Sequence, residues 1–86
     1  MIKATFIATI REKAPREVSK PVLDEAKAQP GFVSVESEIV DGVETTITVW
    51  KTMQDVEAWR DNPVHMAVKR DAAKYYSAWE SHFEEV

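Results

Sequence analysis

Thr46-Ile47-Thr48-Val49-Trp50-Lys51-Thr52, running on through Ala58-Trp59 to Asn62-Pro63-Val64-His65, decides the fold. Ile47 and Val49 alternate with Thr46, Thr48 and Trp50, the period of a strand. The strand stops at Thr52, which can N-cap a helix with Asp55 as its capping-box partner three residues on. Met53, Val56 and Trp59 then make the inward stripe of a short helix. Asn62-Pro63 restarts the helix, an N-cap followed by proline at the first helical position. Two tryptophans and one of the two histidines of the chain fall between residues 50 and 65.

Upstream, Val43–Lys51 reads as the returning arm of a hairpin. Asp41-Gly42 supplies the two-residue type I′ turn, and the outgoing arm is Phe32–Val40. Pro30-Gly31 ends a helix over residues 16–29, in which Val18, Val22, Ala26 and Gln29 share a stripe with Leu23 and Glu25 beside it. Pro21 either starts the main part of that helix or kinks it. Arg11–Pro15 is a polar connection. Residues 2–10 alternate, with Ile2, Ala4, Phe6, Ala8 and Ile10 on one face and Lys3, Thr5, Ile7 and Thr9 on the other.

Downstream, His65, Val68, Ala72, Tyr75, Tyr76 and Trp79 fall within one helical arc, and the helix is expected to end near Tyr76. Ser77–Val86 alternates again, Trp79, Ser81 and Phe83 against Glu80, His82 and Glu84. That reads as a last strand, with a helix running to the end as the competing reading. The order is β-α-β-β-α-α-β, an α+β domain over residues 1–86 whose antiparallel sheet carries its helices on one face. The other face would show Thr5, Ile7, Thr9, Thr46, Thr48 and Trp50. A face carrying Ile7 and Trp50 invites a second copy, so a homodimer through the sheet face is expected, with Trp50 at the seam.

The chain has 86 residues, 44% of them hydrophobic and 30% charged, which allows one modest core. A net charge of −4 without a basic run excludes a phosphate-tracking surface, so nucleic acid is not expected. The absence of cysteine removes disulfides, thiolate metal sites and cysteine nucleophiles and suits a cytoplasmic setting. No signal peptide or membrane span is visible. The two glycines, Gly31 and Gly42, are turn residues, so no phosphate-cradling loop and no nucleotide or flavin cofactor is indicated.

Gln29-Pro30-Gly31-Phe32, the strand end Thr48-Val49-Trp50, Ala58-Trp59 and Asn62-Pro63-Val64-His65 together resemble the antibiotic-biosynthesis monooxygenase family over nearly the whole chain. The resemblance implies two ferredoxin-like subunits forming a dimeric α/β barrel, each with a pocket between sheet and helices. It implies a chemically mixed group: oxygenation of electron-rich aromatics with O₂ and no cofactor, haem breakdown, or no known activity. The haem-degrading branch has an Asn on the first strand, a Trp ending the short helix and an iron-ligating His ten residues later. Trp59 matches. Phe6 lies near the Asn position and Lys69 at the His position, and a protonated lysine does not ligate iron as imidazole does.

Trp59 satisfies a core role through its area alone, or it lines a pocket. His65, near the start of its helix, sits where the macrodipole disfavours imidazolium. It is the candidate base toward a phenol or enol, or else it hydrogen-bonds neighbouring backbone. Phe6 is a candidate wall, Tyr76 a candidate orienting hydroxyl and Trp79 a further substrate contact, although Tyr75, Tyr76 and Trp79 also suffice as core. Glu80, His82 and Glu84 read as a solvated strand face rather than a metal site. The expected function is a cofactor-independent monooxygenase acting on a small electron-rich aromatic or quinol-like compound. A non-catalytic binding or stress-associated module, haem breakdown and a purely structural dimer are the alternatives.

Overall fold

A computed structural model describes residues 1–11 and 16–86, with the side chains of the first helix described from Pro21 onward. The chain runs β1 (Ile2–Ile10), α1 (Arg16–Lys27), β2 (Phe32–Val40), β3 (Val43–Trp50), α2 (Met53–Arg60), α3 (Pro63–Arg70), α4 (Ala72–Tyr75) and β4 (Tyr76–Glu85). The connection expected over Arg11–Pro15 lies outside the described residues beyond Arg11, as does the Val18 side chain. The four strands form one sheet in the order β2-β3-β1-β4, with every neighbouring pair antiparallel. This is the ferredoxin-like arrangement.

Local chemistry sets the joints. Asp41 and Gly42 both take positive φ, 51° and 77°, as the tight β2–β3 turn requires. α1 continues through Pro21, which faces solvent. Thr52 and Asp55 form the reciprocal cap: Asp55 N–H donates to Thr52 Oγ1 at 3.2 Å and Thr52 Oγ1 donates to Asp55 Oδ2 at 2.8 Å. Asn62 Oδ1 accepts from the N–H groups of Val64 and His65 at 2.9 and 3.4 Å. The single helix expected through Tyr76 is broken at Asp71, which ends α3 and precedes the four-residue α4. Tyr76 already belongs to β4, so the strand reading of the tail holds and the helical one does not.

The register corrects the assignment of faces. Ile2 lies opposite Trp50, Ala4 opposite Thr48 and Phe6 opposite Thr46. Residues paired across a sheet share a face, so Trp50, Thr48 and Thr46 lie on the helix side with the apolar row of β1. Trp50 is 0% exposed, packed with Ala26 and Val56 and against Ile2, Ala4, Phe32 and Trp59. It is a core residue and not part of a seam. Burying an indole outweighs burying the two smaller side chains of opposite parity. The open face of β1 and β3 therefore carries Thr5, Ile7, Thr45, Ile47 and Val49.

Two one-residue slips in register matter for the same reason. Val33 is extra between the pairs Phe32–Trp50 and Ser34–Val49; Ser77 is extra between Ile10–Tyr76 and Thr9–Ala78. Each slip turns the preceding aromatic, Phe32 or Tyr76, onto the helix side, against the alternation of its own strand. The core consequently forms two groups. One is centred on Trp50; the other comprises Ala8, Ala72 and Tyr76, with Phe6, Ile10 and Tyr75 packed against it. Among the described residues no helix is long and apolar enough to cross a membrane.

Candidate functional site

A ladder of rings climbs from the sheet to the start of α3. Phe32 meets Trp50 edge-on at 5.7 Å; Trp50 and Trp59 stack at 6.0 Å and 24°; Trp59 and His65 stack at 4.5 Å and 8°. β3 ends on the first indole and the Thr52 cap starts the helix that carries the second. The Asn62 cap then starts α3 one turn below the imidazole. The buried Trp50 Nε1 donates to Thr48 Oγ1 at 2.9 Å, so the indole hydrogen is not stranded in the core.

His65 Nδ1 lies 3.0 Å from the Trp59 carbonyl oxygen. A carbonyl only accepts, so Nδ1 carries the hydrogen and Nε2 carries the lone pair. Burial lowers the pKa of the ring, the Trp59 carbonyl partly opposes that, and Lys69 lowers it further. The imidazole is therefore neutral at pH 7, with Nε2 as its basic atom.

The second group places Phe6 and Tyr76 together, edge-on at 5.7 Å. The Tyr76 hydroxyl donates to Glu44 Oε2 at 2.9 Å. Glu44 is 6% exposed, the one buried charged residue among the described residues. Burial and then the Glu44 carboxylate raise the pKa of Tyr76, so the phenol stays protonated. Between the two groups the helix side of the sheet offers Ala4, Phe6, Thr46 and Thr48, a floor of small and hydroxyl-bearing residues beside one aromatic.

Two hollows lie away from this floor. One, of about 440 Å³, runs along the outer side of α3 between Pro63, Met66, Ala67, Lys69 and Arg70. The other, of about 200 Å³, is on the open sheet face among Glu36, Ser37, Glu38, Thr45 and Ile47. No cluster of three or more metal-ligating side chains occurs among the described residues. Glu80 and His82 instead form an exposed pair at 3.1 Å, and Glu84 pairs with Lys3 at 3.4 Å.

Similarity to solved structures is extensive in shape and low in sequence. A putative antibiotic biosynthesis monooxygenase from Nitrosomonas europaea superposes with a TM-score of 0.89 at 12% identity, over 100% of this chain and 98% of that one. Rv0793 from Mycobacterium tuberculosis gives 0.89 at 10% identity, covering 99% and 93%. SnoaB, a cofactor-independent oxygenase from Streptomyces nogalater, gives 0.84 at 16% identity, covering 99% and 91%. The chain has the antibiotic-biosynthesis-monooxygenase fold. No protein-family model matches the sequence, and no curated protein matches it. At these identities the likeness carries the fold and not the chemistry.

Within this monooxygenase fold the sequence-derived candidates divide. His65 and Trp59 are in ring contact, and Phe6 and Tyr76 are in ring contact. Trp79 stands on the edge strand β4, opposite Ala8 on the helix side and 49% exposed. Of the two neighbouring tyrosines, Tyr76 is the buried one and Tyr75 packs against its group. Glu44 was not among the candidates. Its parity with Trp50 along β3 was the available signal, and it becomes visible only once Trp50 is placed inward.

Proposed function

We propose that this chain is a cofactor-independent monooxygenase acting on a small electron-rich aromatic or quinol-like compound held between the sheet and the helices. The observation that carries the reading is His65: a neutral imidazole, fixed by the Trp59 carbonyl, with Nε2 unprotonated. Trp59 sets the plane of the ring, while Phe6 and Tyr76 form the far side of the floor.

The chemistry follows from a base beside an acidic C–H or O–H. His65 Nε2 takes a proton from the substrate and leaves a delocalised carbanion or phenolate. That anion gives one electron to O₂; the substrate radical and superoxide combine, and the resulting peroxide takes up a proton. Loss of water from the hydroperoxide turns a CH₂ into C=O. One oxygen atom enters the product and the other leaves in water, with all four electrons supplied by the substrate. Support for oxygen chemistry also comes from the fold shared with SnoaB, described as a cofactor-independent oxygenase. The active form is proposed to be a homodimer closed through the open sheet face.

Oxygen uptake with an anthrone, in the absence of added metal, flavin or nicotinamide, tests the proposal. Uptake above the uncatalysed rate with quinone formation is expected. His65→Ala should lower turnover by about a hundredfold or more while leaving the fold intact. Wild-type uptake that His65→Ala does not change removes the base assignment. Binding without uptake favours a non-catalytic binding module.

A further inference from the structure

We infer that Glu44 is a positioning residue that makes Tyr76 a hydrogen-bond acceptor toward the ligand, so that the site selects a compound with a free hydroxyl over its ether or ketone counterpart. The inference borrows from the proposed function only the place of the ligand, on the helix side of the sheet beside Phe6.

A phenol has one hydrogen and two acceptor positions. At Tyr76 the hydrogen is committed: it points at Glu44 Oε2, 2.9 Å away, and both residues are 6% exposed. A carboxylate only accepts, so it cannot release that hydrogen by reversing the bond. What the Tyr76 oxygen has left to offer is a lone pair. The pair also sits where that matters. Tyr76 reaches from β4 past Ala8 to Glu44 on β3, because Ala8 lies opposite Glu44 in register. The next rung on the same face is Phe6–Thr46, and the Phe6 ring already meets the Tyr76 ring edge-on. A hydroxyl laid over that rung finds an acceptor backed by a carboxylate; a carbonyl or ether oxygen there finds only another lone pair. The raised pKa of Tyr76 agrees with a phenol that keeps its hydrogen and lends it to Glu44.

The pair also ties β3 to β4 across β1. A clamp with no further role is indifferent to what the ligand carries, and this decides the experiment. Equilibrium dialysis of the wild-type protein under nitrogen compares 1-naphthol with 1-methoxynaphthalene. Binding of the naphthol about tenfold tighter is expected. In Tyr76→Phe the preference should vanish. In Glu44→Gln the amide can donate to the Tyr76 oxygen and turn the phenol hydrogen outward, so the preference should shift toward 1,4-naphthoquinone. Equal wild-type affinities, no binding of naphthol, or a preference surviving either substitution would overturn the inference. The wild-type comparison decides even where a variant does not fold. Dialysis without oxygen involves no turnover, so a hydroxyl preference with no oxygen uptake sinks the oxygenase reading alone.

Discussion

His65 is kept neutral by its surroundings, and the sign of the resulting pH dependence is fixed. Its folded-state pKa lies below the ordinary value of 6.5, chiefly through burial. Above pH 6.5 both folded and unfolded chains carry it neutral and it contributes nothing to pH dependence. As pH falls through 6.5 the unfolded chain takes up the proton first, so stability declines until the folded-state pKa is reached and then levels off. Urea unfolding between pH 8 and 5 should show this loss in the wild type and a smaller one in His65→Phe. Activity should fall on the same acidic side, where Nε2 becomes occupied. Individual residues also mark where reading from sequence stops. His65, Trp59, Phe6 and Tyr76 could be picked out by type and position. The inward direction of Trp50 could not, because alternation fixes which residues share a face but not which face is covered. Phe32 and Tyr76 were harder still, since a single unpaired residue in each strand reverses the parity.

Elements were more legible than directions. The Asp41-Gly42 turn and both helix caps follow from residues with local chemistry, and the structure places each as expected. The strand ends fall within one residue, β3 closing at Trp50 and not Lys51, and β4 running Tyr76–Glu85 and not Ser77–Val86. The break at Asp71 was hidden because Ala72, Tyr75 and Tyr76 continue the helical arc of α3. Gly31 shows how tightly one joint is built. Its φ is 82°, and a β-carbon there would collide with the carboxylate of Asp55, the capping partner of α2. Its carbonyl also accepts the N–H of Lys51 at 2.9 Å. Gly31→Ala should cost about 2 kcal/mol in chemical denaturation, through positive φ and displacement of the Asp55 carboxylate from Thr52 together. Asp55→Ala clears the collision and costs only the Thr52 Oγ1–Asp55 Oδ2 half of the cap, the backbone N–H of residue 55 still donating to Thr52, so the double variant should recover only part of that cost.

For the whole molecule, a sheet with helices on one side leaves the other side uncovered. Thr5, Ile7, Thr45, Ile47 and Val49 lie there, each half-buried within the single chain. If the proposed dimer closes through this face, Ile47→Glu should produce monomers in sedimentation velocity while the wild type sediments as a dimer. A substitution on the outer side of α3, such as Met66→Glu, should leave the dimer alone. The overall architecture could be read from the sequence because seven element signals agree with one simple packing. The candidate site could not, because it depends on which rings meet across β1, β3, β4, α2 and α3.

The two indoles of the ring ladder have one more consequence, in how the molecule absorbs light. Held 6.0 Å apart and only 24° from parallel, Trp50 and Trp59 are close enough for their excited states to couple. Coupled bands should give the circular dichroism a contribution that neither backbone nor isolated tryptophan supplies. The spacing of those bands changes whenever the end of β3 shifts against α2, so the chain carries an unlabelled optical gauge beside its candidate base.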